Sequence, residues 1–338
     1  MHFSYSAAMS QYMDHLQASG LKPNTIKNRT QVLRKAAPVW GNKPVKRLNA
    51  SDMDTLLSTY DWSPRTRNLY ISNLRLFFQW MRRVRMVPRD FDPTVNLSNV
   101  RVPRTSRMRV PVEQFPALLD AAKHPRDRAV VSLGLFLFLR GSELRTLQIQ
   151  DVNFTDATVH IYRHKTQDED TLPMCQELRQ ELDRYLSWYR QDQGDLQPNW
   201  FLVPAKFSQK FTWVDGQRVL LDGPTPLRPE RPMSHPYRPA KRALDALDLD
   251  APGEGEHTLR RSGARAWFNA LRAEGHSGAL MRVSSMLGHS DTRITEHYIG
   301  VDSERVERNN ILSGNPMFPT NVRDTDEGDS SQGLRLVT

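Results

Sequence analysis

A short segment rich in arginine and proline, residues 100–111, divides this 338-residue chain into two parts. It contains four arginines and two prolines with little apolar periodicity, so we expect neither a helix nor a buried strand there. Prolines stiffen such a segment, and arginines suit a path along phosphates. We therefore predict a domain over residues 1–99, a linker over 100–111 and a second domain over 112–313. Residues 314–338 are acidic and polar, and we expect them to be disordered.

Start and stop signals divide the N-terminal part into helices. Gly20 suits the end of a first helix, and Ser63-Pro64 suits the start of the last one. Ser51, with Asp54 three residues later, predicts a capping box at the start of an intervening helix. Apolar residues recur at helical spacing, while arginine and lysine occupy the other faces. The pattern predicts a small bundle of basic helices.

The C-terminal part mixes helical patterns with a few short strands. Residues 157–162 alternate apolar and polar side chains, and residues 171–173 provide a second strand after a turn. Residues 191–239 are rich in proline, glycine and polar side chains and predict a long irregular segment, with strand candidates around 201–203 and 218–220. The predicted fold class is mainly α with a small antiparallel β-sheet, in which a helical N-terminal domain precedes an α+β domain.

Charge is distributed unevenly along the chain. Residues 1–110 hold 19 Lys and Arg against 6 Asp and Glu, whereas the remaining 228 residues hold 28 against 32. This asymmetry predicts that the N-terminal part engages a polyanion, most commonly nucleic acid. On composition alone, an anionic membrane surface and an incidentally basic solvated surface are the alternatives. The candidate DNA-binding residues are Lys27, Arg29, Arg34, Arg65, Arg67, Arg75, Arg104 and Arg107.

Three absences narrow the class of protein. The sequence has no run of about 18 apolar residues, so no membrane span is predicted. Its N-terminus lacks the basic and apolar stretches of a secretory signal. Cys175 is the only cysteine, which excludes an internal disulfide framework and a multi-cysteine zinc site. A lone cysteine fits a reducing compartment, and we expect a cytoplasmic protein.

Two motifs in the C-terminal part place basic residues next to predicted element ends. In residues 139–144 (LRGSEL), Arg140 directly follows an apolar run and needs a partner, either Glu143 or an anionic ligand. Residues 163–166 (RHKT) end a strand and start a turn, from which Lys165 can reach a cleft. Alone, the first motif is equally explained by an internal ion pair and the second by an ordinary surface lysine.

Two further motifs add histidines, a second arginine and a tyrosine. In residues 257–261 (HTLRR), His257 and Arg260 share one face of a helix that begins there. Residues 287–290 (LGHS) predict a sharp turn that presents His289, and Tyr298 follows after one short helix. Alone, these residues are equally explained by a solvated helix start, a solvated turn histidine and an amphipathic packing tyrosine.

Taken together, the motifs supply a set of side chains for phosphoryl transfer without a metal. Arg140 and Arg260 can hold the non-bridging oxygens of a phosphate and offset the charge that develops in the transition state. Tyr298 can act as a nucleophile and form a covalent intermediate. The motifs contain no cluster of acidic residues suited to Mg²⁺, and we expect neither a metal nor a cofactor.

The order of these motifs resembles that of the tyrosine recombinase (phage integrase) family. The resemblance implies that Tyr298 attacks the scissile phosphate to form a 3′-phosphotyrosine, while Arg140 and Arg260 hold the phosphate and Glu143 supports Arg140. It implies that Lys165 is the general acid for the leaving 5′-oxygen, with Arg163 as the competing basic residue nearby. The resemblance also implies that His257 and His289 position the phosphate and tyrosine or exchange protons with them. Their neighbours Arg261, His164 and His297 are expected to be solvated or to contact the DNA backbone.

The resemblance also implies an assembly. Members of the family form a C-shaped clamp on DNA, in which a core-binding domain like residues 1–99 is joined to the catalytic domain. Four protomers act on two double-stranded DNA sites through a Holliday junction, and a segment like Asp302–Leu312 docks on a neighbouring protomer. The chain starts directly at the core-binding bundle, so no arm-binding domain is expected, and an accessory directionality factor is a possible partner.

The predicted function is therefore site-specific DNA recombination for integration or excision of a phage or mobile element. We expect the protein to be associated with the nucleoid, or to act in the host cytoplasm if a phage encodes it. A chromosome- or plasmid-resolving recombinase of the same family is the first alternative. A type IB topoisomerase is a second, since it uses a similar site but relaxes supercoils as a monomer. A DNA-binding regulator without catalytic activity is a third, although it would have no chemical reason to keep the full set of six residues.

Overall fold

The computed structural model describes residues 3–103, 107–206, 211–215, 217–220, 226–249 and 251–301. The chain divides into two compact units, Met1–Thr105 and Ser106–Thr338. Three predicted features, namely Arg104, the segment Asp302–Leu312 and the tail 314–338, lie outside the described residues. No helix of the described ranges is long and apolar enough to cross a lipid bilayer.

Unit 1 is a four-helix arrangement around an aromatic core. Its helices are α1 (Tyr5–Ala18), α2 (Pro23–Trp40), α3 (Ala50–Thr59) and α4 (Pro64–Arg83). Tyr5 packs edge-on against Trp40 and Phe77, with ring centroids 5.1 and 6.2 Å away. The predicted bundle of basic helices is thus built on one apolar face of each helix.

The start of α3 differs from the prediction. Asn49, not Ser51, is the capping residue: Asn49 Oδ1 accepts from Asp52 N at 3.2 Å, and Asp52 Oδ2 accepts from Asn49 N at 2.9 Å. Asp52 also pairs with Lys43 Nζ at 2.7 Å. Asn49 and Ser51 are both residue types that cap helices. The N-cap lies two residues earlier than predicted, where Asp52 completes the capping box with Asn49 and also pairs with Lys43.

Unit 2 combines eight helices with three small antiparallel sheets among its described residues. The helices are α5 (Phe115–Ala121), α6 (Pro125–Phe136), α7 (Gly141–Leu144), α8 (Gln176–Gln193), α9 (Tyr237–Asp245), α10 (Glu256–Ala273), α11 (Ala279–Leu287) and α12 (Thr292–Ile299). The strands are β1 (Val152–Asn153), β2 (Thr158–Arg163), β3 (Asp168–Pro173), β4 (Pro204–Lys206), β5 (Phe211–Val214), β6 (Gln217–Leu220) and β7 (Leu227–Pro232). The predicted fold class, mainly α with small antiparallel sheets, is confirmed.

Four of these strands, β4 to β7, lie within residues 191–239, the segment that the sequence predicts to be irregular. Strands β1, β2 and β3 form one sheet, with Val159 opposite Leu172, while β4 pairs with β7 and β5 with β6. The strand candidate 218–220 falls in β6. The candidate 201–203 is wrong by three residues, because Phe201 makes only a single β-bridge with Gln148 and the strand begins at Pro204.

The close approach of α6 and α10 places the functional side chains. Gly263 lies where the two helices meet, and a Cβ there would overlap the carbonyl oxygen of Leu135. Phe138, which follows α6, packs in a separate apolar cluster with Ala264 and Val283. The helix contact therefore brings the start of α10, the residues after α6 and the end of α11 to one place.

Candidate active site

Arg140 is held by the first partner that the sequence suggested. Glu143 Oε1 accepts from Arg140 Nη1 at 2.7 Å, and Glu143 Oε2 accepts from the Arg140 backbone N at 2.8 Å. The guanidinium also donates through Nη2 to the carbonyl of Leu287 at 3.1 Å. One short helix, α7, thus fixes both the backbone and the side chain of Arg140.

Three guanidinium groups surround the buried carboxylate of Glu143, whose side chain is 1% exposed. Besides Arg140, Arg260 Nη1 lies 3.7 Å from Oε2 and Arg163 Nη1 lies 3.9 Å from Oε1. Asp170 pairs with Arg163 at 2.5 Å, so two carboxylates face three guanidiniums. This excess of guanidiniums over the carboxylates paired with them suits an anionic ligand such as a phosphate.

Arg260 is almost completely buried on α10, with 2% of its side chain exposed. It donates to the carbonyl of Phe138, and its Nη2 donates to the carbonyl of Leu287 at 2.6 Å. Burial, followed by repulsion from Arg140, lowers the pKa of Arg260 to about 10, so it stays charged at neutral pH. The carbonyl at the end of α11 therefore receives donors from both predicted phosphate-binding arginines.

Tyr298 lies on α12 beside Arg260 and the start of α10. Its hydroxyl donates to the carbonyl of His257 at 3.3 Å, and Arg260 Cζ lies 6.0 Å from the centroid of its ring. Burial raises the pKa of Tyr298, while the charges of Arg260, Arg261 and Arg140 act in the opposite direction. The hydroxyl is thus protonated at neutral pH but lies next to charges that favour its anion.

His289 follows the sharp turn predicted at the end of α11. Gly288 has a left-handed backbone with φ 61°, and a Cβ there would lie 2.7 Å from Arg163 Nη1. The imidazole of His289 has Nδ1 2.9 Å from Thr295 Oγ1 and packs edge-on against Tyr298, with ring centroids 5.6 Å apart. Burial, and then the charge of Arg260, lowers the pKa of His289 to about 4, so the ring is neutral at pH 7.

His257 and Lys165 complete the predicted set at its edges. His257 keeps an exposed surface at the start of α10, yet partial desolvation and the charges of Arg260 and Arg261 lower its pKa. Lys165 is exposed in the turn 164–167 between β2 and β3. Its positive charge is among those that lower the pKa of His289.

Some neighbouring residues differ from their sequence interpretation. Arg261 is buried rather than solvated: its guanidinium pairs with Glu254, and Nε donates to the carbonyl of Met108 at 3.3 Å. The sequence feature that could have indicated this pairing is Glu254, seven positions before Arg261. His164 Nε2 lies 3.0 Å from Thr146 Oγ1, and His297 on α12 is exposed.

Sequence reasoning missed the ionic contacts of Arg163 and the imidazole partner Thr295. The sequence offers Arg163 only as a basic residue that competes with Lys165, whereas the structure buries it in the same cluster as Arg140 and Arg260. Asp170, on the partner strand, was the available signal, because an alternating strand puts neighbouring side chains of a hairpin on one face. Thr295 gave no signal, since a single threonine in a helix has many ordinary explanations.

The predicted DNA-binding residues of unit 1 lie on two helices. Lys27 and Arg34 on α2 and Arg65 on α4 are exposed, and Arg29 is half-buried. Arg67 and Arg75 are also half-buried, and each donates to a main-chain carbonyl, that of Leu57 at 3.5 Å and that of Leu97, respectively. In unit 2, Arg107 Nη1 lies 3.9 Å from Glu254 Oε1 with about half of its side chain exposed.

Comparison with known proteins gives one consistent answer. The model of the phage integrase family matches residues 108–305. Tyrosine recombinase XerD of Pseudomonas putida is 25% identical over 252 residues, which cover 73% of this chain and 74% of that protein. Tyrosine recombinase XerC of Chromobacterium violaceum is 23% identical over 311 residues, which cover 89% of this chain and 92% of that protein.

Solved structures share the fold at low sequence identity. A lambda integrase dimer bound to a COC′ core site aligns with a TM-score of 0.64 and 13% identity, covering 90% of this chain and 79% of that one. XerH recombinase bound to a palindromic difH substrate aligns with a TM-score of 0.61 and 17% identity, covering 91% and 84%. With the motif residues gathered at one site and more than half of the sequence matched, the chain belongs to the phage integrase family of tyrosine recombinases.

Proposed function

We propose that this protein is a site-specific DNA recombinase that cleaves and rejoins DNA through a covalent 3′-phosphotyrosine. The observation that carries the proposal is the position of Tyr298: its hydroxyl is bound at the start of α10, beside Arg260 and the neutral ring of His289. Guanidinium groups next to a tyrosine hydroxyl suit the attack of that hydroxyl on a phosphodiester.

In the proposed cleavage step, Tyr298 Oη forms a bond to phosphorus while the bond from phosphorus to the 5′-oxygen breaks. The proton of Tyr298 passes to the imidazole of His289, whose pKa of about 4 in the protein alone makes it a weak base, so this transfer requires the negative charge of the bound phosphate beside the ring. Lys165 gives a proton to the leaving 5′-oxygen, which becomes a 5′-hydroxyl. Arg140 and Arg260 offset the phosphate charge, Glu143 orients Arg140, and His257 lies next to the nucleophile.

The energy of the broken phosphodiester is kept in the bond between protein and DNA, so the cycle needs no ATP, and Arg140 and Arg260 offset the phosphate charge without a metal. Attack by a 5′-hydroxyl from a partner strand reverses the chemistry and exchanges strands. We further propose four protomers on two DNA sites, with the segment Asp302–Leu312 docking on a neighbour. A fold match to a lambda integrase tetramer bound to a Holliday junction supports this assembly, with a TM-score of 0.62.

We assign DNA binding outside the catalytic site to the basic helices of residues 1–99, joined by the linker 100–111 to a catalytic domain over 112–313. The exposed Lys27, Arg34 and Arg65 are the side chains best placed to meet phosphates. An accessory directionality factor is a further proposed partner.

We propose integration or excision of a phage or mobile element as the biological task. The antiparallel strand pairs β4–β7 and β5–β6 within residues 204–232 add to the catalytic unit, which favours an integrase of a phage or mobile element over a minimal resolving enzyme. A fold match to the Tn1549 transposon integrase in complex with transposon right end DNA, with a TM-score of 0.59, is consistent with this choice. Resolution of chromosomes or plasmids is the second candidate, favoured by the XerC and XerD relatives.

The decisive experiment is covalent trapping. The full-length protein is mixed with nicked duplex fragments that tile the DNA around its own gene, in EDTA, and the denatured products are examined for protein–DNA adducts. We expect an adduct with the wild-type protein and none with Tyr298→Phe, while both bind the fragments equally. Sequencing the trapped ends then locates the cleavage site.

Three outcomes would contradict the proposal. An adduct that persists with Tyr298→Phe would show that another residue is the nucleophile. Specific, salt-sensitive binding of the same fragments without any adduct would favour the non-catalytic regulator. Relaxation of a supercoiled plasmid without the mapped site would favour the topoisomerase alternative.

A further inference from the structure

The end of α11 is held by three arginines from three different elements. Arg140 and Arg260 donate to the carbonyl of Leu287, and Arg163 Nη2 donates to the carbonyl of Met286 at 2.9 Å. Carbonyls at a helix C-terminus carry partial negative charge and favour such donors. Two of these arginines are assigned to the phosphate, whereas the third has no role in the proposed reaction.

Arg163 is the last residue of β2 and is buried, with 4% of its side chain exposed. Its Nε and Nη2 donate to Asp170 Oδ2 on β3 at 3.0 and 2.5 Å. Its Nη1 lies 3.9 Å from Glu143 Oε1 on α7 and against Gly288, and it has no hydrogen-bond partner among the described residues. One side chain therefore joins both strands of the hairpin to α7 and to the turn that presents His289.

The turn that carries Lys165 starts directly after this anchor. Residues 164–167 form the turn, and Gln167 N donates back to the carbonyl of Arg163 at 2.8 Å. Lys165 is exposed, and its ammonium lies at the end of a flexible four-carbon side chain. The region that the ammonium can reach therefore depends on where the turn is held. Fixing Arg163 fixes the base of the turn relative to the end of α11.

We propose that Arg163 is a positioning residue for the general acid: it locks the β2–β3 turn onto Glu143 and the end of α11, so that Lys165 reaches the leaving 5′-oxygen. The inference rests on the proposed function. It requires an arginine, because a lysine has one ammonium and cannot bond Asp170 and Met286 through a planar fork while also facing Glu143.

The test compares two leaving groups at one mapped cleavage site. In one duplex the scissile bond is the natural phosphodiester. In the other, the bridging 5′-oxygen is replaced by sulfur, which leaves as a thiolate and needs no general acid. A residue that acts only by placing Lys165 matters for the first duplex and not for the second.

We expect Arg163→Met to slow adduct formation about 10- to 100-fold on the natural duplex and to stay within about threefold of wild type on the sulfur duplex. Lys165→Ala is the reference variant and shows the same selective loss of rate on the natural duplex. In the double variant, Arg163→Met adds little to the loss caused by Lys165→Ala, since both substitutions remove the same general-acid function. Arg163→Lys retains the charge and recovers only part of the rate. Arg179→Met, at an exposed arginine on α8, controls for loss of one charge and leaves both rates unchanged.

Asp170→Asn is the second variant, because it loosens the anchor while Arg163 stays in place. We expect Asp170→Asn to show the same preference for the sulfur duplex, with a smaller loss of rate on the natural duplex. If circular dichroism shows that Arg163→Met does not fold, Asp170→Asn tests the proposal by itself. Equal loss on both duplexes by folded variants would overturn the inference and assign Arg163 to the phosphate itself. Failure of the wild-type protein to form an adduct on either duplex would instead overturn the proposed function.

Discussion

At the residue scale, the site works by placing buried charges against one another. Glu143 is the centre of this arrangement, since its carboxylate lies within 4 Å of Arg140, Arg163 and Arg260. The same charges act on His289, whose ring is neutral where an ordinary histidine would be partly protonated. The lowered pKa of His289 makes the stability of the fold depend on pH.

We expect His289 to lower the stability of the protein as the pH falls from 7.5 to 5. The folded pKa of His289 is about 4 against an ordinary 6.5, so below pH 6.5 the unfolded chain binds a proton that the folded chain does not. The unfolded state is then favoured increasingly, by about 2 kcal/mol at pH 5, and the cost is complete below the folded pKa. Urea unfolding at pH 7.5, 6 and 5 measures the effect.

The matched comparison is His289→Gln, which keeps a polar side chain of similar reach but cannot titrate. Its free energy of unfolding should fall less over the same pH range, and the difference between the two proteins isolates the histidine. Parallel curves for both proteins would show that His289 titrates normally in the folded state.

At the scale of elements, one helix contact assembles the site. The motif residues lie in the turn after β2, after α6, at the start of α10, at the end of α11 and on α12, and they meet because α6 and α10 approach closely at Gly263. The starts of several helices were predictable from local signals such as Ser63-Pro64. The start of α3 was not, because Asn49 and Ser51 are both good caps.

We predict that Gly263→Ala destabilises unit 2 by about 3 kcal/mol, since the added methyl meets the backbone of α6 and one helix must shift. The shift would also separate Arg260 from the carbonyl of Phe138. Chemical denaturation measures the loss. The control is Gly278→Ala, where the nearest atom lies 4.0 Å away and φ is −91°; because Gly278 is the N-cap of α11, its stability should fall by no more than about 1 kcal/mol. Equal stability of the two variants would contradict the packing argument.

At the scale of the whole molecule, charge is divided between two compact units. The excess of basic over acidic residues lies in residues 1–110, while the proposed catalytic arginines of unit 2 are neutralised in part by Glu143 and Asp170. Under the proposed function, strong, non-specific attraction to phosphates belongs to unit 1 and the chemistry to unit 2.

We expect the affinity for duplex DNA to fall steeply with salt, and each of Lys27→Ala and Arg34→Ala to reduce the slope of log K against log salt by about 1. Fluorescence anisotropy across a series of salt concentrations measures these slopes. Arg184→Ala is the control, since Arg184 already pairs with Glu181 on α8 at 2.8 Å. An unchanged slope in both test variants would remove these residues from the DNA-binding surface.

The sequence by itself determined the fold class, the helical pattern of the N-terminal part and the motif residues of the site. These follow from periodicity, from caps and from the chemistry of side chains within a few positions of one another. Tertiary structure alone decided that Arg163 and Arg261 are buried, that Thr295 contacts His289 and that β4 begins at Pro204. Each of these depends on partners far away in the chain, and a local pattern carries no information about which distant group will satisfy a buried charge.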